Sequence, residues 1–271
     1  MRCLFCKADS SGSQSVEHGI PEALGNTTFI LPRGIVCDRC NNYFAVKVER
    51  PLLDGGWLRD MRARQGVPSK RRRLLPVTGH LQDTDISLFG FRVAPNEFTF
   101  GLSESNTKPI IWDELAKAAT GVFIHDESPP IDRRLLSRLI AKIALELIAQ
   151  RIHHLPGWET FAIDHAQFDP IRTYARFGRG PDWPVHSRRI YDEEATIILP
   201  SGGRHQVVHE SNILLTPEQH GYAVICLFGV EHAINLTGPS VASYRRWLLE
   251  HDGQSPLYAG AKMPRQDRDL P

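Results

Sequence analysis

The chain has 271 residues, a hydrophobic fraction of 41% and a formal net charge of +1 at pH 7. These values exclude a wholly disordered chain and a strongly basic protein whose overall charge would indicate nucleic-acid binding. No stretch approaches the roughly 18–20 apolar residues of a membrane-spanning helix, and Met1–Ser10 has no apolar signal-peptide segment. We therefore predict a cytoplasmic protein, in which thiols stay reduced.

Composition divides the chain into three regions. Residues 1–56 contain four of the five cysteines, which predicts a small module stabilised by a metal. Residues 57–76 are basic and polar and are interpreted as a linker or a phosphate-facing arm. Residues 77–271 alternate strand-like and helix-like patterns. The predicted fold class is α+β, a small N-terminal module followed by a larger mixed domain.

The cysteines of the first region form two C-x-x-C pairs, Cys3 with Cys6 and Cys37 with Cys40, separated by 30 residues. Two such pairs supply the four thiolates of a closed tetrahedral Zn²⁺ site of the structural type. Such a zinc ion has no open coordination position, so it would stabilise the fold and do no chemistry. The alternatives are a redox C-x-x-C motif or unrelated buried thiols.

A carboxylate and an imidazole lie between the two pairs, at Glu17 and His18. We expect a helix that begins at Asp38 as N-cap and turns Phe44 and Val48 inward. The zinc site would then hold this helix against a hairpin that carries Glu17 and His18. This arrangement would bring acid, base and amide side chains to one place.

Metal-assisted hydrolysis of a phosphodiester needs such a combination. A hard divalent cation such as Mg²⁺ takes carboxylate and amide oxygens as ligands, which predicts Glu17 and Asn41. An imidazole that is mostly neutral near pH 7 accepts a proton from water, which predicts His18 as the general base. Glu49 either approaches the metal region or is a solvated helix residue, and Asn42 is expected to support Asn41.

The complete pattern resembles the HNH endonucleases of the ββα-metal fold, in the branch with an E-H first motif. The residues that carry the resemblance are Cys3-x-x-Cys6, Glu17-His18-x-Ile20-Pro21-x-Ala23-Leu24-Gly25 and Gly34-x-Val36-Cys37-x-x-Cys40-Asn41-Asn42-x-Phe44. It implies a β-hairpin followed by a helix, with the base at the end of the first strand. It also implies one catalytic Mg²⁺ or Mn²⁺ on Glu17 and Asn41, and DNA as substrate in restriction or phage defence, with RNA still open.

The sequence departs from the usual HNH pattern at three points. Many members have Asp in place of Glu17 and His in place of Asn41. Leu31-Pro32 occupies the stretch where the middle asparagine is expected, so Asn26 is the candidate for bracing the loop. The resemblance covers residues 1–56 only.

Basic side chains follow this module. Residues 57–75 contain seven of them against the single acid Asp60. They are candidate nucleic-acid contacts because lysine and arginine neutralise phosphates, although a solvated linker explains the Lys70–Arg73 run equally well. The seven are Arg59, Arg62, Arg64, Lys70, Arg71, Arg72 and Arg73.

The clearest element of the C-terminal region is a helix from about Pro129 to His153, with Ser128 as its cap. Apolar residues repeat at helical spacing from Leu135 to Ile148, and Arg134, Arg138, Lys142 and Glu146 occupy its other faces. Shorter helices are expected from Asp169 to Gly178 and after Ser240. Strands are expected at 86–93, 97–102, 196–199, 206–208 and 222–228, with a hairpin turn at 201–203.

Three functional interpretations follow from these features. The first is a metal-dependent endonuclease acting on DNA. The second is a zinc-dependent nucleic-acid-binding module without chemistry. The third makes the nuclease an effector that a ligand or partner gates through the C-terminal domain, whose other candidate roles are DNA contact and homodimer formation.

Overall fold

The computed structural model describes residues 1–69, 72–82, 84, 86–94, 97–102, 122–124, 131–193, 195–198, 204–206 and 209–257. It divides into two compact units. The first combines Met1–Glu22 and Asn26–Leu52 with the described residues from Asp132 onward, and the second combines Ala23–Gly25 with Leu53–Ile131. Helices and antiparallel sheets are both present, which confirms the α+β class. In the described ranges no helix is long and apolar enough to cross a membrane.

The N-terminal part of the first unit has the order strand, strand, helix. Strand β1 (Glu17–His18) pairs antiparallel with β2 (Ile30–Leu31). A short 3-10 turn, Glu22–Leu24, lies between them. Helix α1 (Asp38–Phe44) continues through a π-helical turn (Ala45–Glu49) into α2 (Arg50–Leu53). The predicted hairpin and helix are therefore present, and β1 carries both residues of the E-H motif.

The start of α1 differs from the expected one. Cys37 is the N-cap in extended conformation, and Asp38 is the first helical residue. The Asp38 carboxylate instead accepts hydrogen bonds from the backbone nitrogens of Gln14 and Ser15 at 3.1 and 2.8 Å. The hydrogen bond from the Ser15 side chain is the main reason why the pKa of Asp38 is lowered. Asp38 thus fastens the loop before β1 to the helix. Phe44 and Val48 are buried, as expected.

Helix α4 (Arg133–Ile152) is the central element of the first unit. Its N-cap is Asp132, which accepts from the backbone nitrogens of Arg134 and Leu135, and not Ser128, which lies outside the described residues. All residues from 136 to 149 are buried. A helix buried on every side must pack against partners all round it. The N-terminal module and the C-terminal sheet supply those partners, because α4 contacts β2, the π-helical turn and the sheet.

Among the described residues, the C-terminal sheet has four antiparallel strands, β7 (Val185–Arg189), β10 (His209–Leu215), β11 (Gly221–Leu227) and β12 (Val230–Asn235), in the order β10-β11-β12-β7. Along β11, Tyr222, Val224 and Cys226 pack into one cluster with Tyr244 and Leu248 of helix α6 (Ala242–Glu250). Cys226 is buried and packs as a small apolar residue. Helix α5 (Asp169–Phe177) precedes β7 in the chain.

Helix α5 ends as the sequence indicates. Gly178 adopts a left-handed conformation with φ of 64° and donates its backbone N–H to the Tyr174 carbonyl. Glycine takes this conformation without the steric cost that a Cβ brings. Strands β8 (Thr196–Ile198) and β9 (Arg204–Gln206) pair antiparallel, and the predicted turn at 201–203 lies outside the described residues.

The described residues of the second unit include a helix and a four-stranded antiparallel sheet. Helix α3 (Gly56–Arg64) occupies part of the segment for which we expected a linker or arm. The strands, in the order β5-β4-β3-β6, are β3 (Val77–Leu81), β4 (Ser87–Ala94), β5 (Glu97–Leu102) and β6 (Val122–Ile124).

Candidate active site

The four cysteines of the two C-x-x-C pairs converge on one point. Their sulfur atoms all lie within 4.8 Å of one another, and the Cys6 and Cys37 sulfurs are 3.6 Å apart. Sulfurs around a tetrahedral zinc ion are about 3.8 Å apart, because the Zn–S distance is about 2.3 Å. The Cys37 backbone N–H also donates to the Cys3 sulfur at 3.3 Å. The donor set therefore fits a structural zinc ion.

Arginine side chains from α5 support this cluster from the C-terminal half of the chain. Arg176 donates from Nε to the Cys40 sulfur at 3.3 Å, and its guanidinium lies 3.5 Å from the centre of the Tyr43 ring. Arg172 donates to the Leu4 carbonyl at 2.7 Å. Four thiolates on Zn²⁺ carry two excess negative charges, and a buried guanidinium at one sulfur partly offsets them. The cysteine module is thus integrated into the first unit.

The most unusual feature of the first unit is a buried ion cluster around Lys142 of α4. The Lys142 ammonium lies 2.6 Å from Glu17 Oε1, 3.0 Å from Glu49 Oε1 and 3.1 Å from Glu146 Oε2. Lys142 and Glu146 are completely buried, and Glu17 is 5% exposed. We call these four residues the Lys142 cluster. It joins β1, the π-helical turn and α4, so three separate segments of the chain contribute its side chains.

Charge and burial act against each other in the Lys142 cluster. Burial alone would lower the pKa of Lys142, but the three carboxylates hold it well above its ordinary value. Burial raises the pKa of Glu17 and that of Glu146, against the opposing effect of the Lys142 ammonium. The positive charge of one ammonium therefore does not fully offset the desolvation of the carboxylates. A divalent cation next to Glu17 would supply the missing charge.

One oxygen of Glu17 is left for such a cation. Glu17 Oε1 is bound by Lys142, whereas Oε2 is buried and has no hydrogen-bond partner in the described part of the chain. A buried carboxylate oxygen without a donor carries a desolvation cost that a metal ion removes. Glu17 therefore fits the metal-ligand position that the sequence predicts.

His18 follows Glu17 on β1 and is half-buried. Its Nδ1 is buried and has no hydrogen-bond partner among the described residues. When the ring is protonated on Nε2, Nδ1 is therefore an available proton acceptor. Gly19 allows the Phe29 ring to pack directly behind this strand, because a Cβ at position 19 would lie 2.2 Å from a ring carbon. The hairpin thus holds the imidazole at the end of β1.

Asn41 lies in α1 and donates from Nδ2 to the Val16 carbonyl at 3.2 Å, next to β1. The amide nitrogen is used in this bond, so Oδ1 is the atom that would bind a cation. Asn42 is exposed. The hydrogen bond from Asn41 to the residue before Glu17 places the two predicted metal ligands on neighbouring elements.

Asn26 is completely buried and braces the loop between β1 and β2. Its Nδ2 donates to the carbonyls of Ile20 and Phe29 at 2.7 and 2.9 Å. Its Oδ1 accepts from the backbone nitrogens of Thr28 and Phe29 at 3.1 and 2.8 Å. These four hydrogen bonds use both donors of the amide nitrogen and both lone pairs of the amide oxygen. These contacts are those of a loop-bracing residue.

The basic side chains predicted to contact nucleic acid differ in their burial. Arg62 is buried and donates to the Leu53 carbonyl at 3.2 Å, so its guanidinium faces the interior of the second unit and not a phosphate. Arg59 is half-buried and lies 3.5 Å from Asp60. Arg64 is half-buried, Arg72 and Arg73 are exposed, and Lys70 and Arg71 lie outside the described residues. All the described ones belong to the second unit.

Comparison with known proteins agrees with this geometry. Residues 3–54 match the family model of the HNH endonucleases. No curated protein and no solved structure matches the chain significantly. The N-terminal module, with its four-cysteine site and its E-H motif on β1, is therefore an HNH-type module. The matched segment ends before α4, so Lys142 and Glu146 lie outside it.

Sequence reasoning did not place Lys142 and Glu146 next to Glu17. The helical pattern places both on faces of α4 other than the apolar one, and charged residues on such faces of an amphipathic helix usually contact solvent. The available signal was their spacing of four residues, which allows an ion pair on one helix face. This spacing is also typical of exposed helices and therefore gives no indication of burial.

Proposed function

We propose that this protein is a metal-dependent endonuclease that hydrolyses phosphodiester bonds in DNA. The observation that carries the proposal is that Oε2 of Glu17 and Nδ1 of the next residue, His18, are both buried without a partner in the described part of the chain, within a module that matches HNH endonucleases. The structural ion would be Zn²⁺ on the four cysteines, and the catalytic ion Mg²⁺ or Mn²⁺.

In this proposal each side chain has one task. Glu17 and Asn41 would hold the catalytic ion, and His18 would accept a proton from the attacking water. When bound, the ion would neutralise charge on the phosphate as phosphorus becomes five-coordinate. Glu17 is already buried and ion-paired, so little side-chain ordering would remain for substrate binding.

The test is conversion of supercoiled plasmid to nicked or linear forms. Wild type and His18→Ala are compared with Mg²⁺, with Mn²⁺ and with EDTA. We expect cutting by the wild type that requires the divalent ion, and a loss of at least 100-fold in His18→Ala, the scale of a general base at about 10²–10⁴. His154→Ala is the matched control, because His154 is exposed at the end of α4 and outside the matched segment.

The outcomes separate the proposal from its alternatives. DNA binding without cutting under any metal condition would point to a non-catalytic zinc module. Cutting that appears only after addition of a ligand or partner protein would point to a gated effector. Cleavage of single-stranded RNA under the same metal conditions is compared with plasmid cleavage to determine the nucleic-acid preference. The proposal extends to restriction or phage defence through the family resemblance, and plating of phage on cells that express wild type or His18→Ala tests that role.

A further inference from the structure

The Lys142 cluster has a feature that the nuclease family match does not account for. A buried ammonium is bound to a carboxylate that, under the proposed function, ligates the catalytic ion. Like charges close together repel, so Lys142 should weaken cation binding at Glu17 and not strengthen it. A lysine that served packing alone would not need to lie 2.6 Å from Glu17 Oε1. The position of Lys142 therefore indicates a role other than strengthening cation binding at Glu17.

The contacts of the Lys142 ammonium indicate what that role is. The ammonium binds Glu17 Oε1, and it also donates to the His18 carbonyl at 3.3 Å. It is itself fixed by Glu146, one turn away on the same helix, and by Glu49 of the π-helical turn. Lys142 therefore restrains both the side chain of the metal ligand and the backbone of the general base.

We propose that Lys142 is a positioning residue that holds Glu17 by Oε1, so that Oε2 is the oxygen that Glu17 would offer to a catalytic ion. This inference rests on the proposed function for its purpose and on the Lys142 cluster for its geometry. Glu146 and Glu49 hold the ammonium in turn. The active site of the module then includes α4, which belongs to the part of the chain beyond the family match.

The main variant is Lys142→Met combined with Glu146→Leu. It removes one formal charge of each sign, and replacing a buried ion pair by apolar side chains is often neutral for folding. Glu17 would then be free to offer either oxygen, and no ammonium would compete for it. We expect Mn²⁺ to bind the zinc-loaded variant at least as tightly as the wild type. We also expect kcat for plasmid cleavage to fall about 10- to 100-fold, with KM unchanged.

Retained Mn²⁺ affinity together with a lower kcat distinguishes a positioning role of Lys142 from a purely structural one. Mn²⁺ affinity is measured from the signal of the free ion in electron paramagnetic resonance, and folding by circular dichroism and zinc content. A parallel loss of Mn²⁺ affinity and cleavage, or no change in cleavage, overturns the proposal. Tyr244→Phe is the control, because it removes a buried hydrogen bond to Glu231 of 2.8 Å in the C-terminal sheet. We expect it to change neither Mn²⁺ affinity nor kcat.

Two further outcomes are interpretable. If the wild type binds Mn²⁺ but cuts no nucleic acid, the proposed function fails, and the spectrum of the bound ion then tests the positioning. A changed spectrum in the double variant supports it, and identical spectra overturn it. If the double variant does not fold, Lys142→Gln with Glu146→Gln replaces it, because this pair keeps polar side chains while shortening residue 142. The same expectations hold for the replacement.

Discussion

Arg176→Met should weaken zinc binding without unfolding the rest of the first unit. Arg176 Nε lies 3.3 Å from the Cys40 sulfur, and the side chain is buried. At 3.3 Å, opposite unit charges attract by about 5 kcal/mol at an effective dielectric constant of about 20, and by about 1 kcal/mol in bulk water. Substitution of a residue that supports a metal ligand typically lowers metal affinity by about 10- to 100-fold. Expressed as a free energy, this loss lies between the two Coulomb energies.

The assay is competition for zinc with a chromophoric chelator at neutral pH. Three variants calibrate it. Cys6→Ser removes a ligand that is exposed, so it should abolish tight binding with little effect on packing. Arg179→Met removes an exposed guanidinium that lies 5.4 Å from the Phe177 ring, and it should leave zinc affinity unchanged. Arg176→Lys keeps the charge and should retain part of the affinity.

One result would refute this reasoning. If Arg176→Met holds zinc as tightly as the wild type while Cys6→Ser loses it, the guanidinium does not stabilise the thiolates. Its contact with the Tyr43 ring, 3.5 Å from guanidinium to ring centre, would then account for its burial.

Two further predictions concern stability, both measured by urea unfolding. Asn26→Ala removes four hydrogen bonds from a completely buried side chain and should cost about 2–4 kcal/mol, whereas exposed Asn42→Ala should change stability by under about 0.5 kcal/mol; equal effects would contradict the bracing role. Burial lowers the pKa of His232 to about 4, so the unfolded chain binds a proton that the folded chain does not. The free energy of unfolding should therefore fall by up to about 3 kcal/mol as the pH drops from about 6.5 to about 4. His232→Gln should lack this component, and an unchanged pH dependence in that variant would count against it.

Features with local sequence signals could be predicted well. The spacing of Cys3, Cys6, Cys37 and Cys40 indicates a shared metal site because thiolates at such spacing converge on one ion. The end of α5 at Gly178 and the presence of α4 also follow from short-range patterns. A strand at 97–102 matches β5 (Glu97–Leu102) because its alternating residues suit a half-exposed sheet.

Features that depend on long-range packing could not be predicted. Asp38 is of a residue type that commonly caps helices. Its carboxylate instead accepts hydrogen bonds from the backbone nitrogens of Gln14 and Ser15, and Cys37 is the N-cap. Arg62 belongs to a basic run, yet it is buried in α3. In each case a tertiary contact overrides a local preference, and no local pattern encodes that contact.

The division of the first unit between two distant parts of the chain has a consequence for biosynthesis. Lys142 is 124 residues beyond His18, whose carbonyl it binds. A ribosome that adds about 5–20 residues per second needs several seconds to synthesise this interval. During that time the E-H motif has emerged without the helix that covers it. The nascent chain therefore completes the Lys142 cluster only after α4 has left the ribosome.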